Sequence, residues 1–408
     1  MKEWLEQVEQ YGIGVILGHN RSRRANLLRV ALLLFSVLYA ALVRLRLLFF
    51  RQRVIRDRDL GCMVVCIGNL TVGGTGKTPV VEMFARALRE RGRRVAVLSR
   101  GYKSERTPRK RRSPARLIRD ALAGRQPPKP EPRIVSDGTD ILLDSRFAGD
   151  EPWMLARNLP GVPVIVDKDR VNGGRHAIQR LGADTLLLDD GLQYLRLRHR
   201  LDIVLIDRTA PFGNGFLLPR GTLREPPRSL RRASYILITK CDGASNDELI
   251  TRIRRHNRTA EIIECRHSPR YLEHLVTGDR LPVTELEGKY VGAISGIAVP
   301  QSFEGGLSRL GAHVEVKLRF ADHHRFDAPE VTAFMRRCLD RDLAMVVTTE
   351  KDAVRFPTLE RYDLPLYFLR IEIEVINGHE HFEACIDRIC NPAPAPIRRL
   401  PSAAFSPS

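Results

Sequence analysis

The sequence has few of the features that mark secreted, disulfide-bonded or zinc-binding proteins. Its seven cysteines are an odd number, and they show neither C-x-x-C spacing nor a matching His/Cys pair that would complete a zinc site. We therefore expect reduced and mostly buried thiols in a cytosolic protein. Internal repeats are absent, and no stretch interleaves aromatic with basic residues, so nucleic acid is not expected as a partner.

Acidic residues are also scarce relative to basic ones. The 408 residues include 67 basic and 48 acidic side chains, which gives a formal net charge of +19. Such a charge favours an anionic partner, whether nucleic acid, a phospholipid surface or a phosphorylated substrate, and charge alone does not choose among them. With 43% hydrophobic residues the chain can bury a substantial core, as one large domain or two of ordinary size.

The N-terminal region lacks both a signal-peptide cleavage site and an apolar run of full membrane-spanning length. The uncharged apolar run covers residues 30–43, whereas a spanning helix needs about 20 apolar residues. We predict a helix that lies in or dips into one leaflet, with the rest of the chain cytoplasmic. A buried core helix with charged ends is the alternative. The arginines expected to meet anionic headgroups are Arg21, Arg23, Arg24, Arg44, Arg46 and Arg51.

From residue 61 onward, short β-branched apolar runs alternate with helical patterns. This alternation predicts an α/β fold with a mostly parallel sheet covered by helices and ligands at the carboxyl ends of the strands. The predicted regions are a membrane-associated helical segment at 1–60, an α/β core at 61–287, a smaller C-terminal α/β lobe at 288–390 and a disordered tail at 391–408. A basic insertion at about 103–129 is expected to be an exposed loop with a short helix at 115–123.

The stretch "GNLTVGGTGKTPV" at 68–80 lacks the opening glycine of a standard phosphate-binding loop, because Thr71 occupies that position. The glycine-rich half that would face the phosphates is intact, and an apolar strand precedes it while a helical pattern follows. We therefore predict a P-loop NTPase-like core at 61–287 that binds a nucleotide, with Lys77 on the terminal phosphates and the Thr78 hydroxyl on Mg²⁺. The predicted nucleotide-binding residues are Thr71, Val72, Gly73, Gly74, Thr75, Gly76, Lys77 and Thr78.

Three further motifs carry acids or histidines. "TLLLDDGLQY" ends an apolar strand at Asp189 and Asp190, which is typical of a carboxylate pair that holds Mg²⁺. "GDEP" supplies Asp150 and Glu151, which can divide the roles of general base and metal ligand or can simply be solvated. "FADHH" places two histidines beside an acid, and a carboxylate–imidazole pair can accept a proton from a hydroxyl.

"ITKCD" is similar to a guanine-reading signature, but Thr239 stands where that signature has asparagine, so guanine specificity is weakly indicated.

In their order along the chain, eight motifs resemble the bacterial tetraacyldisaccharide 4'-kinase family, the lipid A kinases of the inner membrane. The resemblance covers about residues 27–390. The motifs are "GNLTVGGTGKTP", "SRGY", "GDEP", "DKDR", "DDGLQY", "GNGFLLPRGTLREP", "FADHH" and "TTEKDAVR".

The resemblance implies ATP- and Mg²⁺-dependent phosphorylation of the 4'-hydroxyl of a tetraacyl glucosamine disaccharide 1-phosphate in lipid A biosynthesis. It implies Asp150 as the general base and His323 as its partner. Other implied roles are catalysis for Lys77 and Glu225, metal binding for Thr78, Glu151, Asp189 and Asp190, and substrate binding for Arg170 and Asn69.

The same resemblance implies a lipid A disaccharide precursor and anionic inner-membrane lipids as partners, with no obligate protein partner. It implies a peripheral or monotopic enzyme on the cytoplasmic face. Two other classes stay open on the residues alone. One is a membrane-associated P-loop ATPase or GTPase switch without a sugar acceptor, and the other is a basic nucleic-acid-binding protein with ATP-dependent activity. The basic insertion leaves acyl-chain and sugar preferences undecided.

Overall fold

A computed structural model describes residues 12, 14–16, 22–101, 104–105, 130–357 and 362–392. Most of the basic insertion, including the predicted helix at 115–123, lies outside the described residues, as does the tail after residue 392.

All seven cysteines are unpaired thiols, and five of them are buried, which agrees with the prediction. Cys66 lies with His199 and Asp202 in a group of potential metal-ligand atoms within 4.8 Å of one another, which the sequence did not predict.

Thirteen strands form one sheet within the described residues. The strands are β1 (Met63–Asn69), β2 (Val95–Ser99), β3 (Arg133–Ser136), β4 (Val164–Val166), β5 (Thr185–Asp189), β6 (Leu201–Asp207), β7 (Tyr235–Thr239), β8 (Glu261–His274), β9 (Arg280–Pro282), β10 (Tyr290–Ser295), β11 (His313–Arg319), β12 (Met345–Thr349) and β13 (Leu366–Asn377).

Ten α-helices connect or cover these strands in the described part of the chain. They are α1 (Arg23–Arg51), α2 (Lys77–Glu90), α3 (Ser145–Ala148), α4 (Asp150–Asn158), α5 (Arg170–Leu181), α6 (Asp247–Arg254), α7 (Pro300–Arg309), α8 (Ala328–Leu339), α9 (Glu350–Ala353) and α10 (His379–Cys390).

The sheet has the order β11-β10-β12-β13-β8-β7-β6-β1-β5-β2-β4-β3, with β9 paired to β8. Neighbouring strands run parallel except where β13 meets β8, β9 meets β8 and β3 meets β4. The apolar runs between residues 62 and 242 that predicted strands form β1, β2, β4, β5, β6 and β7, and these six strands pair with one another in parallel. The predicted P-loop NTPase-like α/β fold is therefore confirmed.

Strands β8 and β13 form a long antiparallel ribbon between two parallel parts of the sheet. The first four residues of β8 pair with β7, and the first four residues of β13 pair with β12. Two hydrophobic clusters lie on the far side of this ribbon, whereas Ile386 and Ile389 of α10 pack with Phe84 near the P-loop. Helix α10 thus returns to the core that the sequence assigned to residues 61–287, and the boundary at 287/288 remains a prediction.

Helix α1 is longer than the apolar run that predicted it, because it includes arginines at both ends. It has 29 residues and a mean hydropathy of 2.1 over its most apolar window, so it is long and apolar enough to cross a membrane by length and composition. Only 11% of that window is buried, which disfavours a core helix. Of the predicted headgroup arginines, Arg21 lies outside the described residues and Arg46 instead donates to the carbonyl of Gln193.

A buried arginine joins the ribbon to the helices that carry the site. The side chain of Arg370 on β13 is 3% exposed, and its Nη1 lies 2.8 Å from both carboxylate oxygens of Glu350. Its Nη2 contacts Glu82 of α2, and Glu82 is itself buried. This contact connects α2, α9 and β13. Removing one partner of a buried ion pair leaves an uncompensated charge, so loss of the contact would strongly destabilise the fold.

We expect Arg370→Met to lower the free energy of unfolding by about 3–5 kcal/mol, because buried Glu350 would lose its cation and buried Glu82 would keep only the more exposed Arg86. Urea unfolding followed by circular dichroism measures this. The matched control is Arg266→Met on the neighbouring strand, where Arg266 and Glu374 are 52% and 34% exposed. That exposed pair should contribute less than about 1 kcal/mol. Equal effects of the two substitutions would contradict the assigned role of Arg370.

Candidate active site

The phosphate-binding loop has its expected position between β1 and α2. Gly76 precedes α2 in a left-handed conformation with φ 76°, which a residue with a Cβ adopts only at a cost. Thr71 and Thr75 are buried, whereas Val72, Gly73 and Gly74 are exposed at the tip of the loop. The Thr239 hydroxyl supports the loop from behind by donating to the Thr75 carbonyl at 3.0 Å. Thr239, which stands where a guanine-reading motif has asparagine, therefore stabilises the P-loop through a hydrogen bond to its backbone.

Lys77 points into the site and contacts two polar partners at the strand ends. Its Nζ donates to Asn69 Oδ1 at 3.3 Å and lies 3.7 Å from Asp190 Oδ1. The amide of Asn69 in turn donates to the hydroxyl of Thr71 at 3.3 Å. The residue that replaces the opening glycine thus belongs to the hydrogen-bond network that positions the lysine.

The adjacent acids Asp189 and Asp190 have different environments. Asp189 is 2% exposed and accepts one hydrogen bond, from Ser99 Oγ at 3.2 Å, while its Oδ1 has no partner among the described residues. Burial, reinforced by the charges of Glu151 and Asp190, raises the pKa of Asp189 to about 7.

Burial alone would also raise the pKa of Asp190, but the charges of Lys77 and Arg224 outweigh it and hold that pKa below its usual value. Arg224 Nη1 lies 2.8 and 2.7 Å from the two oxygens of Asp190. Sequence reasoning quoted Arg224 inside a motif but gave it no role. Its position directly before Glu225 was the available signal.

Asp150 and Glu151 begin helix α4, where the exposed backbone N–H groups favour negative charge. The preceding Gly149 has φ 91° and ψ 151°, a combination that is essentially confined to glycine, and it lets α3 end and α4 begin at one residue. This turn explains the glycine of "GDEP". The Glu151 charge contributes to the raised pKa of Asp189, so the two acidic motifs meet at one edge of the sheet.

Asp150 and His323 come together from opposite sides of the ribbon. His323 Nδ1 lies 3.1 Å from Asp150 Oδ2, although the two residues are 173 positions apart in the chain. Burial alone would raise the pKa of Asp150, but the hydrogen bond from His323 and the charges of Arg355 and Arg325 outweigh it and lower that pKa. The Asp150 carboxylate is therefore ionised at neutral pH.

The two histidines of "FADHH" have separate surroundings. His323 adopts a left-handed conformation with φ 70°, and its Nε2 lies 3.4 Å from Lys351 Nζ. An ammonium beside Nε2 favours the tautomer with its proton on Nδ1, which then donates to Asp150. His324 instead stacks on Phe320 and contacts Glu330 at 2.9 Å, so its contacts are structural.

Arg170 and Glu225, two other predicted site residues, are both buried. Arg170 is buried, its guanidinium lies over the Tyr194 ring at 4.7 Å, and the charges of Asp189 and Asp190 act on it. Glu225 is buried and accepts a hydrogen bond from Arg232 at 2.8 Å. The described contacts connect Glu225 to that arginine and not to Asp150, so its catalytic role stays a prediction.

The segment 213–226 connects the phosphate-binding loop to α1. The Thr222 carbonyl accepts a hydrogen bond from the Val72 amide at 2.7 Å, and the Arg224 amide donates to the Leu70 carbonyl at 2.7 Å. On its other side the segment contacts α1, because Tyr39 Oη donates to the Arg224 carbonyl at 3.0 Å and Ser36 Oγ donates to Leu217 at 2.9 Å. The helix at the N-terminus is thus attached to the loop next to the phosphate site.

The donor set fits a hard divalent cation. Asp189 offers a buried carboxylate oxygen that has no hydrogen-bond partner in the described part of the chain, and the charges of Glu151 and Asp190 act on it more strongly than that of Lys77. Hard cations such as Mg²⁺ prefer such oxygen ligands. A divalent cation would also remove the repulsion that raises the pKa of Asp189.

Comparison with known proteins agrees with this geometry. The LpxK family, described as tetraacyldisaccharide-1-P 4'-kinase, matches residues 28–128 and 124–391. A tetraacyldisaccharide 4'-kinase of Syntrophus aciditrophicus is 40% identical over 365 residues, which cover 87% of this chain and 91% of that one. One from Anaeromyxobacter is 39% identical over 379 residues, covering 92% and 94%.

The crystal structure of an LpxK from Aquifex aeolicus in complex with ATP has a TM-score of 0.67 to this chain at 26% identity, covering 89% of this chain and 99% of that one. The residues matched by the family model include the phosphate-binding loop, the paired acids, Asp150 and His323. This chain therefore belongs to the tetraacyldisaccharide 4'-kinase family of lipid kinases.

Proposed function

We propose that the protein transfers the γ-phosphoryl group of ATP to the 4'-hydroxyl of a tetraacyldisaccharide 1-phosphate, with Asp150 as general base. The observation that carries the proposal is the Asp150–His323 contact at the edge of the sheet that also holds Lys77 and the paired acids. A switch that only hydrolyses a nucleotide has no need of a base assembled for a hydroxyl acceptor. The guanine-specific alternative is further weakened because Thr239 braces the loop.

In the proposed step, the sugar oxygen attacks the γ-phosphorus and an O–P bond forms. The bond between the γ-phosphorus and the bridging oxygen breaks, and ADP leaves. Asp150 accepts the hydroxyl proton as the oxygen becomes a nucleophile, while His323 Nδ1 donates a hydrogen bond that fixes the carboxylate. Charge spreads over the phosphoryl oxygens during transfer, and Lys77 is placed to stabilise it.

We propose that Thr78, Glu151, Asp189 and Asp190 hold Mg²⁺ with the nucleotide. When bound, the ion would neutralise phosphate charge and orient the phosphates. Arg224 has a separate task, because its two short contacts keep Asp190 ionised and fixed in the absence of ligand. Arg170, stacked over Tyr194, and Asn69 are proposed to contact the acceptor sugar.

Helix α1 supports a membrane location for the reaction. Ser36 and Tyr39 contact the protein body through their hydroxyl groups, next to the buried Ala25 and Val43, whereas most other apolar side chains of the helix are exposed. A surface helix of a soluble protein instead turns most of its apolar side chains to the core. We propose that the apolar face enters the inner membrane from its cytoplasmic side, that the flanking arginines contact anionic lipids, and that no protein partner is obligatory.

The base assignment predicts a selective loss of turnover. We expect Asp150→Asn to lower kcat by about 10²–10⁴-fold, because the amide cannot accept the proton, while ATP binding is retained. Conversion of the purified tetraacyl disaccharide 1-phosphate to its bis-phosphorylated product, with equilibrium binding of ATP in parallel, measures both effects.

The matched control for that experiment is Asp140→Asn, an exposed position on the segment before α3, which should leave turnover unchanged. Near-normal turnover in Asp150→Asn would remove it from the base role. Nucleotide hydrolysis that proceeds equally well without the lipid acceptor would favour the ATPase or GTPase switch.

The raised pKa of Asp189 predicts a pH-dependent stability in the metal-free protein. A folded pKa of about 7, above the usual value of 3.8, means that the folded state binds the proton more tightly. Ionising Asp189 therefore lowers the free energy of unfolding. This destabilisation is small below about pH 4 and grows as the pH rises toward 7, by roughly 1.4 kcal/mol per unit of pKa difference between the folded and unfolded states.

We therefore expect Asp189→Asn to unfold at a higher temperature than the wild type in EDTA at pH 8, with a smaller difference at pH 5. Mg²⁺ should stabilise the wild type at pH 8 and should stabilise the variant much less. Thermal unfolding at the two pH values, with and without Mg²⁺, measures this. A variant that is less stable than the wild type at pH 8 in EDTA would contradict the assignment.

The membrane assignment predicts release by charges on the exposed face of α1. Leu34 and Leu38 are 69% and 58% exposed, and each charge placed in hydrocarbon costs about 2.5–3.5 kcal/mol. The double variant Leu34→Glu/Leu38→Glu should bind phosphatidylglycerol vesicles more than tenfold less in sedimentation assays. The control Val276→Glu/Leu339→Glu adds the same charges at exposed apolar positions elsewhere and should bind as the wild type does. Release by both double variants alike would contradict the role of α1.

A further inference from the structure

The motif "TTEKDAVR" at 348–355 packs directly behind the proposed base. It ends β12 and forms the short helix α9, with the Thr349 side chain accepting a hydrogen bond from the Asp352 amide at 3.1 Å. Thr349 Oγ1 also donates to Asp352 Oδ2 at 2.7 Å, and Asp352 is fully buried. The segment therefore presents a fixed, buried carboxylate to the second residue after the helix.

That residue is Arg355, whose side chain is 1% exposed. Its Nη2 donates to Asp352 Oδ1 at 2.6 Å, and its Nε lies 3.5 Å from Asp150 Oδ2. Burying a guanidinium is costly unless its donors are satisfied, and here Nε donates to the Lys351 carbonyl at 3.2 Å while the terminal nitrogens contact Asp352 and backbone carbonyls. Arg355 is thus fixed by hydrogen bonds, and the Nε edge of its charged guanidinium lies at ion-pair distance from the proposed base.

The backbone carbonyls complete the arrangement. Arg355 Nη1 donates to the carbonyls of His324 at 3.2 Å and Gly296 at 3.3 Å, and its Nη2 lies 3.3 Å from the same Gly296 oxygen. The Gly296 carbonyl also accepts a hydrogen bond from the His323 amide at 3.1 Å. The guanidinium and the histidine amide therefore share one acceptor at the turn where His323 has φ 70°.

We propose that Arg355 is a positioning residue that holds Asp150 and His323 in contact. One guanidinium contacts the carboxylate on one side of the ribbon and, through two carbonyls, the turn that carries the imidazole on the other. A non-glycine residue in the left-handed region keeps that conformation only where its surroundings impose it. Arg355 supplies that constraint on His323. The inference rests on the proposed function, because it concerns the geometry of the proposed base.

A lysine cannot make all of these contacts, because its single ammonium lacks the planar fork of donors. It can still place one positive charge between Asp352 and Asp150. Arg355→Lys should therefore retain more activity than Arg355→Met, which has a side chain of similar length without charge. Displacement of catalytic groups by about 1 Å can cost about 10²-fold in rate, so the expected loss of kcat in Arg355→Met is about 10- to 100-fold.

The test is a double-mutant cycle in the full-length enzyme with Mg²⁺-ATP and the tetraacyl disaccharide 1-phosphate. Arg355→Met should lower kcat, leave KM for ATP unchanged, and be partly rescued by Arg355→Lys. In a His323→Ala background the same substitution should lower kcat by less than about threefold, because residues that act as a unit are non-additive.

The matched control is Arg319→Met, which removes an arginine paired with Glu304 on the same side of the ribbon. It should leave kcat unchanged in both backgrounds. If Arg355→Met does not fold, Asp352→Asn replaces it in the same cycle, since the amide keeps the shape but weakens the hold on Arg355.

Equal loss in the wild-type and His323→Ala backgrounds would overturn the inference, as would a loss confined to KM for ATP. A wild-type enzyme that makes no bis-phosphorylated product would instead overturn the proposed function.

Discussion

Crowding of negative charge at one edge of the sheet is the constraint on which the site depends. Asp150, Glu151, Asp189 and Asp190 end up close together, and phosphates must approach the same place. Like charges this near one another cannot all ionise without partners. Within the described residues three of them form an ion pair with a separate basic side chain, whereas Asp189 forms none and its buried Oδ1 has no hydrogen-bond partner. The acid without an ion pair is then the position at which a divalent cation gains most.

Much of the fold could be predicted from the sequence, because its signals are local. Apolar runs of five to seven residues that end in polar turns identify buried parallel strands, and the loop before Lys77 carries its own strand and helix. The acids of "GDEP" and "DDGLQY" were found for the same reason, since each follows a glycine turn or a strand end. Each of these features can be identified from residues that are adjacent in the sequence.

The remainder depends on contacts between distant residues. Nothing near Arg224 or Arg355 indicates which acid each would face, and the partner of Arg224 lies 34 positions away. The return of α10 to the first core and the ribbon of β8 and β13 likewise follow from long-range pairing. In "FADHH" the sequence could not separate two adjacent histidines. The turn at His323 separates them, because it directs one ring to Asp150 and leaves the other stacked on Phe320.

One backbone position connects the N-terminal helix to the chemistry. The Arg224 carbonyl accepts the Tyr39 hydroxyl, while the guanidinium of the same residue holds Asp190. If α1 enters the bilayer as proposed, this connection would set the height of the paired acids above the lipid surface. An acceptor sugar would then be selected by how far its hydroxyl projects from the membrane, and its acyl chains could remain among the lipids during the reaction. Such selectivity would depend on the distance of the hydroxyl from the membrane, measured along the bilayer normal. It would tolerate variation in the acyl chains of the acceptor.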